Sequence, residues 1–376
     1  ITLRKKVKAA RMRLKFTGHH ACANPGAAEI EVYSTPPGGK VLGSFKPMKP
    51  MTASFGNVTA HVTVKNQSPE LAEKLYSGKL GFEKMLLIER HAYKISHVYV
   101  YHVESFRPGG AIHIYTPDKD GGKLEKIFDA GTGMIMDCSL SYDGKEILFS
   151  YKKQPTKTEH GGNSTHLNHM YTDREQRYQV YRMNLEDRKP ILLTDHWSNN
   201  FNPCWLPDGR IAFLSDRKLS FAYCFTSSSP LLYRMNRDGE DVFKMSHGYL
   251  NDFTPSVLND GRIIYSRWEY VDRPACPIQS LWTLRPDGTK SEGFFGNRVL
   301  EPGTFMEARS IGNTSKVLCV MTGHNGSCRG ALGVIDPSFG ANAQQGIRNI
   351  TPEVRIPPVT GNPGLKGNAL VNKGPY

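Results

Sequence analysis

The sequence predicts an all-β protein, a β-propeller of four-stranded blades, and three observations predict it. A polar turn running into a β-branched and aromatic strand is written at Ser141-Tyr142-Asp143-Gly144-Lys145-Glu146-Ile147-Leu148-Phe149, again at Leu206-Pro207-Asp208-Gly209-Arg210-Ile211-Ala212-Phe213, and again at Leu258-Asn259-Asp260-Gly261-Arg262-Ile263-Ile264-Tyr265. Asp-Gly before such a run is a hairpin signal, and its return every fifty to sixty-five residues or so marks an internal repeat of small sheets. Downstream echoes at Tyr115 to Gly121, Tyr181 to Asp187, Tyr233 to Gly239 and Trp282 to Gly288 end an aromatic-rich strand in an acidic or glycine turn, as a third strand would. Each leads to a last strand, such as 190–194 or 241–246, which gives the four strands of a propeller blade. Long helices are scarce. Only 68–79 (SPELAEKLYSGK) carries a helical start, with Ser68 as N-cap, Pro69 at the first helical position and Glu70 in the first turn.

The blades are expected at about 82–130, 138–194, 202–247, 254–296 and 304–352. Five are recognisable, and a sixth is needed to close the ring. Either residues 353–376 supply part of it beside N-terminal strands, or the missing portion lies beyond Tyr376. Segments 29–44 and 57–65 alternate like strands and either close the ring or form a separate β region. The expected division is 1–70, a basic arm with a β-rich extension, and 71–376, the propeller.

The chain has 376 residues, 39% of them hydrophobic, enough for a sizeable core, and no apolar stretch approaches the ~20 residues of a membrane span. Its formal charge of +13 is concentrated at the front, where Arg4, Lys5, Lys6, Lys8, Arg11, Arg13 and Lys15 precede the first carboxylate, Glu29. No nucleic-acid reader motif accompanies this run, so a docking arm for an acidic protein surface is the favoured reading. Residue 1 is Ile, so the numbering is expected to begin inside a longer precursor. The seven cysteines form no CxxC or CxxCH, which leaves no covalent haem attachment in these residues, and Cys138, Cys204 and Cys319 read as buried core thiols. Six Asn-x-Ser/Thr sequons begin at Asn57, Asn66, Asn163, Asn313, Asn325 and Asn349. Asn163, Asn313, Asn325 and Asn349 are the candidate glycosylation sites, and their number favours a secretory route, with an organellar lumen or periplasm as the alternative.

The segment Asn202-Pro203-Cys204-Trp205-Leu206-Pro207-Asp208-Gly209-Arg210-Ile211-Ala212-Phe213-Leu214-Ser215-Asp216-Arg217 resembles the TolB-type (PD40) propeller repeat. Tyr265-Ser266-Arg267-Trp268-Glu269-Tyr270-Val271-Asp272-Arg273, with Ser139-Leu140-Ser141-Tyr142-Asp143-Gly144 and Glu307-Ala308-Arg309-Ser310-Ile311, is similar to the hydrazine synthase alpha-subunit-like proteins over about 80–355. The resemblance implies a six-bladed propeller. In the true synthase haem-binding domains follow it, and this sequence carries no such motif.

Several residues are candidates for chemistry. His324 with Cys328 four residues on is a candidate transition-metal pair, and His19, His20 and Cys22 form a similar cluster. Arg267, Trp268, Glu269, Asp272 and Arg273 read as a structural motif, an ion-pair network holding blade four against its neighbour, with Arg267 and Glu269 on one strand face and Trp268 packed between blades. Asp118-Lys119-Asp120-Gly121-Gly122 looks like a calcium loop for five residues but reads as a hairpin turn. No GxSxG, Walker loop or HExxH occurs. The expectation is a non-catalytic structural and protein-interaction module in a secreted assembly, without a cofactor. The alternative is the propeller subunit of a haem or metal redox enzyme whose catalytic domains lie outside this chain.

Overall fold

The computed structural model describes residues 11–15, 29–33, 51–55, 58–62, 69–91, 93, 95, 97–104, 107–154, 174–223, 227–271, 278–325, 328–352, 354 and 356. The chain separates into two compact units, residues 1–87 with 112–126, and residues 88–111 with 127–376.

The first unit opens with two antiparallel hairpins, β1 (Arg11–Lys15) with β2 (Glu29–Tyr33) and β3 (Met51–Phe55) with β4 (Val58–Val62). Strands β2 and β4 fall within the expected stretches 29–44 and 57–65, whose remaining residues lie outside the described ones, and β3 was not legible. Helix α1 (Pro69–Tyr76) forms where Pro69 and Glu70 predict it, braced by Lys74 Nζ to Glu70 Oε1 at 2.7 Å one turn apart. Strands β5 (Met85–Glu89), β6 (Ala111–Thr116) and β7 (Lys123–Asp129) make a three-stranded sheet. The Asp118 turn is the hairpin turn expected, since Asp118 Oδ1 accepts from the backbone N–H groups of Asp120 (2.7 Å) and Gly122 (2.8 Å).

The second unit contains the repeats. Strands β8 (Met134–Leu140), β9 (Glu146–Lys152), β10 (Gln179–Asn184) and β11 (Pro190–Leu192) form one four-stranded sheet. The next contains β12 (Asn200–Trp205), β13 (Ile211–Ser215), β14 (Leu231–Met235) and β15 (Phe243–Lys244). Then come β16 (Asp252–Val257), β17 (Ile263–Trp268), β18 (Gln279–Leu284) and β19 (Glu292–Phe295), followed by β20 (Thr304–Ser310), β21 (Val317–Thr322), β22 (Ala331–Ile335) and β23 (Ile347–Asn349). These last two sets share one eight-stranded sheet through a single parallel bridge, Gln279 to Thr304. Consecutive strands within each set pair antiparallel. The sets match the expected blades two to five, each beginning up to four residues earlier in blade two and two in blades three and four.

The Asp-Gly turns join first strand to second. Gly209 and Gly261 both stand at φ 84°, a conformation open to glycine at no steric cost. Asp208 Oδ2 accepts from Arg210 Nε at 2.8 Å, and Asp260 Oδ2 accepts from Arg262 Nε at 2.9 Å, so the two turns are copies down to the side chains.

First strands face one another in succession, β8 against β12, β12 against β16, and β16 against β20, which makes them the inner strands of a radial array. In the expected first blade three strands are present among the described residues, and the segment preceding β6 is not one of them. Residues Val98–Val100 make a 3₁₀ turn and Tyr101–Glu104 a single helical turn, α2. Val98, Tyr99, Val100, Tyr101, His102 and Val103 are all at most 4% exposed, whereas a blade's edge strand would leave one face in water. Tyr99, Val100, Tyr101 and Val103 pack in one cluster with Met134 and Met136 of β8, Phe201 and Cys204 of β12, Phe253 of β16 and Met306 of β20. The segment therefore fills the space on which four inner strands converge.

Candidate functional site

The inner strands share a second feature. Each slips register by a bulge, between Ile135 and Cys138, Phe201 and Cys204, Phe253 and Ser256, and Met306 and Arg309. Prolines 203 and 255 fall inside the bulges, where no ladder N–H is required. Asn202, Thr254 and Glu307 occupy the left-handed region at φ 48°, 40° and 54°. Non-glycine residues are uncommon there, and a β-branched one such as Thr254 is an outlier. A pocket of about 300 Å³ opens over these bulges, and Asp137, Tyr142, Asn202, Thr254, Glu307 and Arg309 contribute to its lining.

Its polar groups are tied to each other across blades. Asp137 accepts from Ser150 N (3.0 Å), Ser150 Oγ (2.7 Å), Asn202 N (2.8 Å) and Asn202 Nδ2 (2.8 Å). Burial pushes the Asp137 carboxyl up to about 6, against these hydrogen bonds and with help from the Glu307 charge. Thr254 Oγ1 accepts from Glu307 N at 2.9 Å, and Glu307 Oε2 pairs with Arg309 Nη2 at 3.0 Å. Tyr101 OH donates to Asn202 Oδ1, linking the buried segment to the row of bulges at 2.5 Å. With Asp137 surrounded by donors and Glu307 ion-paired, the arrangement presents bound acceptors to the pocket and no nucleophile beside a base. The thiols of Cys138 and Cys204, which also line it, are pushed up by burial, Cys204 to about 12, and are held in the unreactive neutral form.

Deeper in, His102 Nε2 lies 2.9 Å from Ser228 Oγ, and Ser228 Oγ donates to Asp216 Oδ2 at 2.7 Å. The serine proton goes to the aspartate, so the histidine is the donor toward serine. In a hydrolytic triad the histidine stands between acid and serine and takes the serine proton, so this chain is a structural tie. All three residues are at most 2% exposed.

Trp268 of the sequence motif is 1% exposed and stacks on Tyr99 with centroids 4.6 Å apart, so it packs against the buried segment. Arg267 Nη2 pairs with Glu269 Oε1 at 2.9 Å, and the Arg267 guanidinium lies 4.6 Å from the Trp282 ring centre, contacts internal to the same blade. Asp272 and Arg273 lie outside the described residues. His324 Nδ1 is 3.0 Å from Gln279 Nε2, and its ring sits 5.2 Å from Tyr99 and 5.0 Å from Trp268. Burial, with the neighbouring His97, lowers the His324 imidazole to about 3. Cys328 Sγ faces Val98 O at 3.9 Å. Among the described residues no three His, Cys, Asp or Glu side chains are grouped to hold a metal.

Asn313 is exposed in a turn at φ 59°, Asn325 is partly exposed, and Asn349 Nδ2 donates to Val354 O at 2.9 Å. Asn163, Asn57, Asn66, His19, His20, Cys22, Arg4, Lys5, Lys6 and Lys8 lie outside the described residues. The described cysteines, Cys138, Cys204, Cys319 and Cys328, are free thiols. Neither the buried segment nor the row of bulges was foreseen. The signal for the bulges was present, as Phe-Asn-Pro-Cys at 201–204 and Phe-Thr-Pro-Ser at 253–256 repeat a proline inside a strand.

No family model matches the chain, and no curated protein matches it in sequence. Solved structures do. Hydrazine synthase of Kuenenia stuttgartiensis superposes with a TM-score of 0.54 at 13% identity, covering 72% of this chain and 39% of that one. TolB from Acinetobacter baumannii gives a TM-score of 0.47 at 11% identity over 75% of this chain and 60% of its own. The chain thus spans less than two thirds of each of them. The likeness to the synthase defines the class, an all-β protein with a propeller-like fold, and at such identity it carries the fold alone.

Proposed function

We propose that this chain is a non-catalytic β-propeller that serves as a structural and protein-interaction module in a secreted or extracellular assembly. One observation carries the reading: the chain's own segment from Val98 to Val103 fills the convergence of the inner strands, with every residue at most 4% exposed. Propeller blades surround a central channel, the place where a ligand or reaction would be housed. Here a packed core of Tyr99, Tyr101, Phe201, Phe253 and Trp268 occupies it. On this reading the cationic run from Arg4 to Lys15 docks an acidic surface of a partner, and Asn163, Asn313, Asn325 and Asn349 carry the glycans, Asn349 once its bond to Val354 is released. No helix among the described residues is long and apolar enough to cross a membrane.

Size-exclusion chromatography and crosslinking of native material test it. A complex that dissociates with salt is the expected result, because contacts made by exposed charges are screened. A monodisperse monomer without partners would count against the assembly. The rival, a haem or metal redox subunit, is tested by elemental analysis and an optical scan, where a stoichiometric transition metal or a Soret band overturns the non-catalytic reading. Loss of mass on enzymatic deglycosylation is expected on the secretory reading, and an unmodified chain contradicts it.

A further inference from the structure

Where β9 ends and β10 begins, the chain buries positive charge. Lys152, the last residue of β9, is 1% exposed, and Arg177, two residues before β10, is 4% exposed. A 3₁₀ turn over Arg174–Gln176 sets the position of Arg177, whose backbone N donates to Arg174 O at 3.0 Å. Burial, helped by the Arg177 charge, pushes the Lys152 ammonium down to about 7, so the two cations stand close enough to oppose each other. A lysine can yield its proton under such pressure. A guanidinium stays charged at any ordinary pH, so Arg177 carries its full charge into the interior.

The carboxylate within electrostatic reach of Arg177 is Asp216, just beyond β13, and its oxygens are taken. Oδ1 accepts from Asn199 N at 2.7 Å, and Oδ2 from Asn199 Nδ2 at 3.0 Å and Ser228 Oγ at 2.7 Å. Arg217, which feels the same carboxylate, has its own bonds, Nε to Ser215 Oγ and Nη2 to Asn200 Oδ1, each at 3.0 Å. Arg177 differs. Its Nε and Nη2 are both buried and find no acceptor among the described residues. These two N–H groups form one edge of the guanidinium, the edge that takes two oxygens of a single oxyanion side by side. Buried polar atoms are seldom left unsatisfied, and a buried charge without a hydrogen-bonded partner is strongly destabilising, so this edge calls for a counter-ion.

We propose that the chain binds inorganic phosphate as a buried counter-ion, held bidentately by the Nε–Nη2 edge of Arg177. Geometry asks for an oxyanion, and charge selects among oxyanions. Two like charges held close enough for one to depress the other are reconciled by an anion carrying more than one charge, which phosphate near neutral pH supplies and a lone carboxylate does not. With phosphate in place Lys152 returns to its ammonium form. The anion then joins the end of β9 to the start of β10 within blade two, beside Asp216 of blade three.

The test melts the full chain, dialysed into chloride, against rising inorganic phosphate and, separately, acetate at constant ionic strength. Phosphate should raise the melting temperature along a saturating curve, as a ligand of the folded state does, and acetate should not. Arg177→Gln should abolish that rise. Arg177→Lys keeps a charge but lacks the paired donors, and should weaken the apparent affinity about tenfold or more. Phosphate also stabilises proteins generally by exclusion from their surface, so a rise shared equally by the parent and Arg177→Gln is a salt effect and overturns the proposal. Acetate acting as well as phosphate overturns the choice of a dianion. Phosphorus NMR of the parent decides independently of any variant: a resonance of bound phosphate, distinct from the free ion, is expected at millimolar phosphate, and its absence contradicts the site.

Discussion

The outer turns and the inner bulges of the blades face the same backbone problem and solve it differently. At the turns the left-handed position is taken by Gly209 and Gly261, and around Gly261 nothing lies within 4 Å of where a Cβ would stand. At the bulges the same conformation is held by Asn202, Thr254 and Glu307. Left-handed backbone costs roughly 1–2 kcal/mol for a residue with a Cβ, so a side chain is retained at the bulges against a standing penalty. The reason is in their contacts: Asn202 holds Asp137 and Tyr101, and Thr254 holds the backbone of Glu307. Turns need only a shape, while bulges need a shape and a side chain that ties one blade to the next and to the segment they enclose.

The largest expected effect breaks the enclosed core itself. Trp268→Ala removes the partner of Tyr99 and should cost about 3–5 kcal/mol through lost burial and a cavity, read as a fall in denaturation midpoint. Asn202→Gly comes next. It relieves the backbone but removes the bonds to Asp137 Oδ2 and Tyr101 OH, so a net loss of about 1–3 kcal/mol is expected, and a gain would show that the bulge side chain is dispensable. Gly261→Val has room for its side chain and carries only the backbone penalty, roughly 1–2 kcal/mol in chemical denaturation.

The smallest expected effect is in pH. The His324 imidazole is lowered to about 3 from 6.5, so between those values the unfolded chain binds a proton that the folded one refuses. Stability from this group is present above pH 6.5 and is lost as pH falls toward 3. The buried carboxyls act oppositely. Asp137 and Asp252 are raised by burial to about 6 and about 7 from 3.8, so the folded state holds their protons more tightly and gains stability as pH falls through that window. His324→Phe keeps a ring against Tyr99 and Trp268 while leaving the carboxyls alone, so melting between pH 4 and 6.5 should become less acid-sensitive than in the parent, to the extent set by a single group.

Much of the outer architecture was legible because its signals are local. Asp-Gly before a β-branched run fixes a hairpin wherever it stands, so β8–β9, β12–β13 and β16–β17 were all readable, as was α1 from Pro69 and Glu70. The fate of 97–104 was not, because His97-Val98-Tyr99-Val100-Tyr101 has the composition of a strand and only burial by four separate blades makes it helical. Propensity yields there to tertiary packing. Around Trp268 the indole is buried and Arg267 pairs with Glu269, and the ring that the indole stacks on is Tyr99, more than 160 residues earlier in the chain, a pairing that no spacing rule reaches.

Amide hydrogen exchange across residues 97–104 tests the enclosed segment most directly. Val98 N donates to His324 O at 3.1 Å and Val100 N to His97 O at 3.2 Å, both inside the core. If the chain seals its own centre, these amides exchange only with global unfolding, as slowly as those of β12 and β16. Exchange as fast as in the exposed turns, with β12 and β16 still protected, would mean that the segment leaves the centre readily, and the reading of a closed, non-catalytic propeller would be wrong.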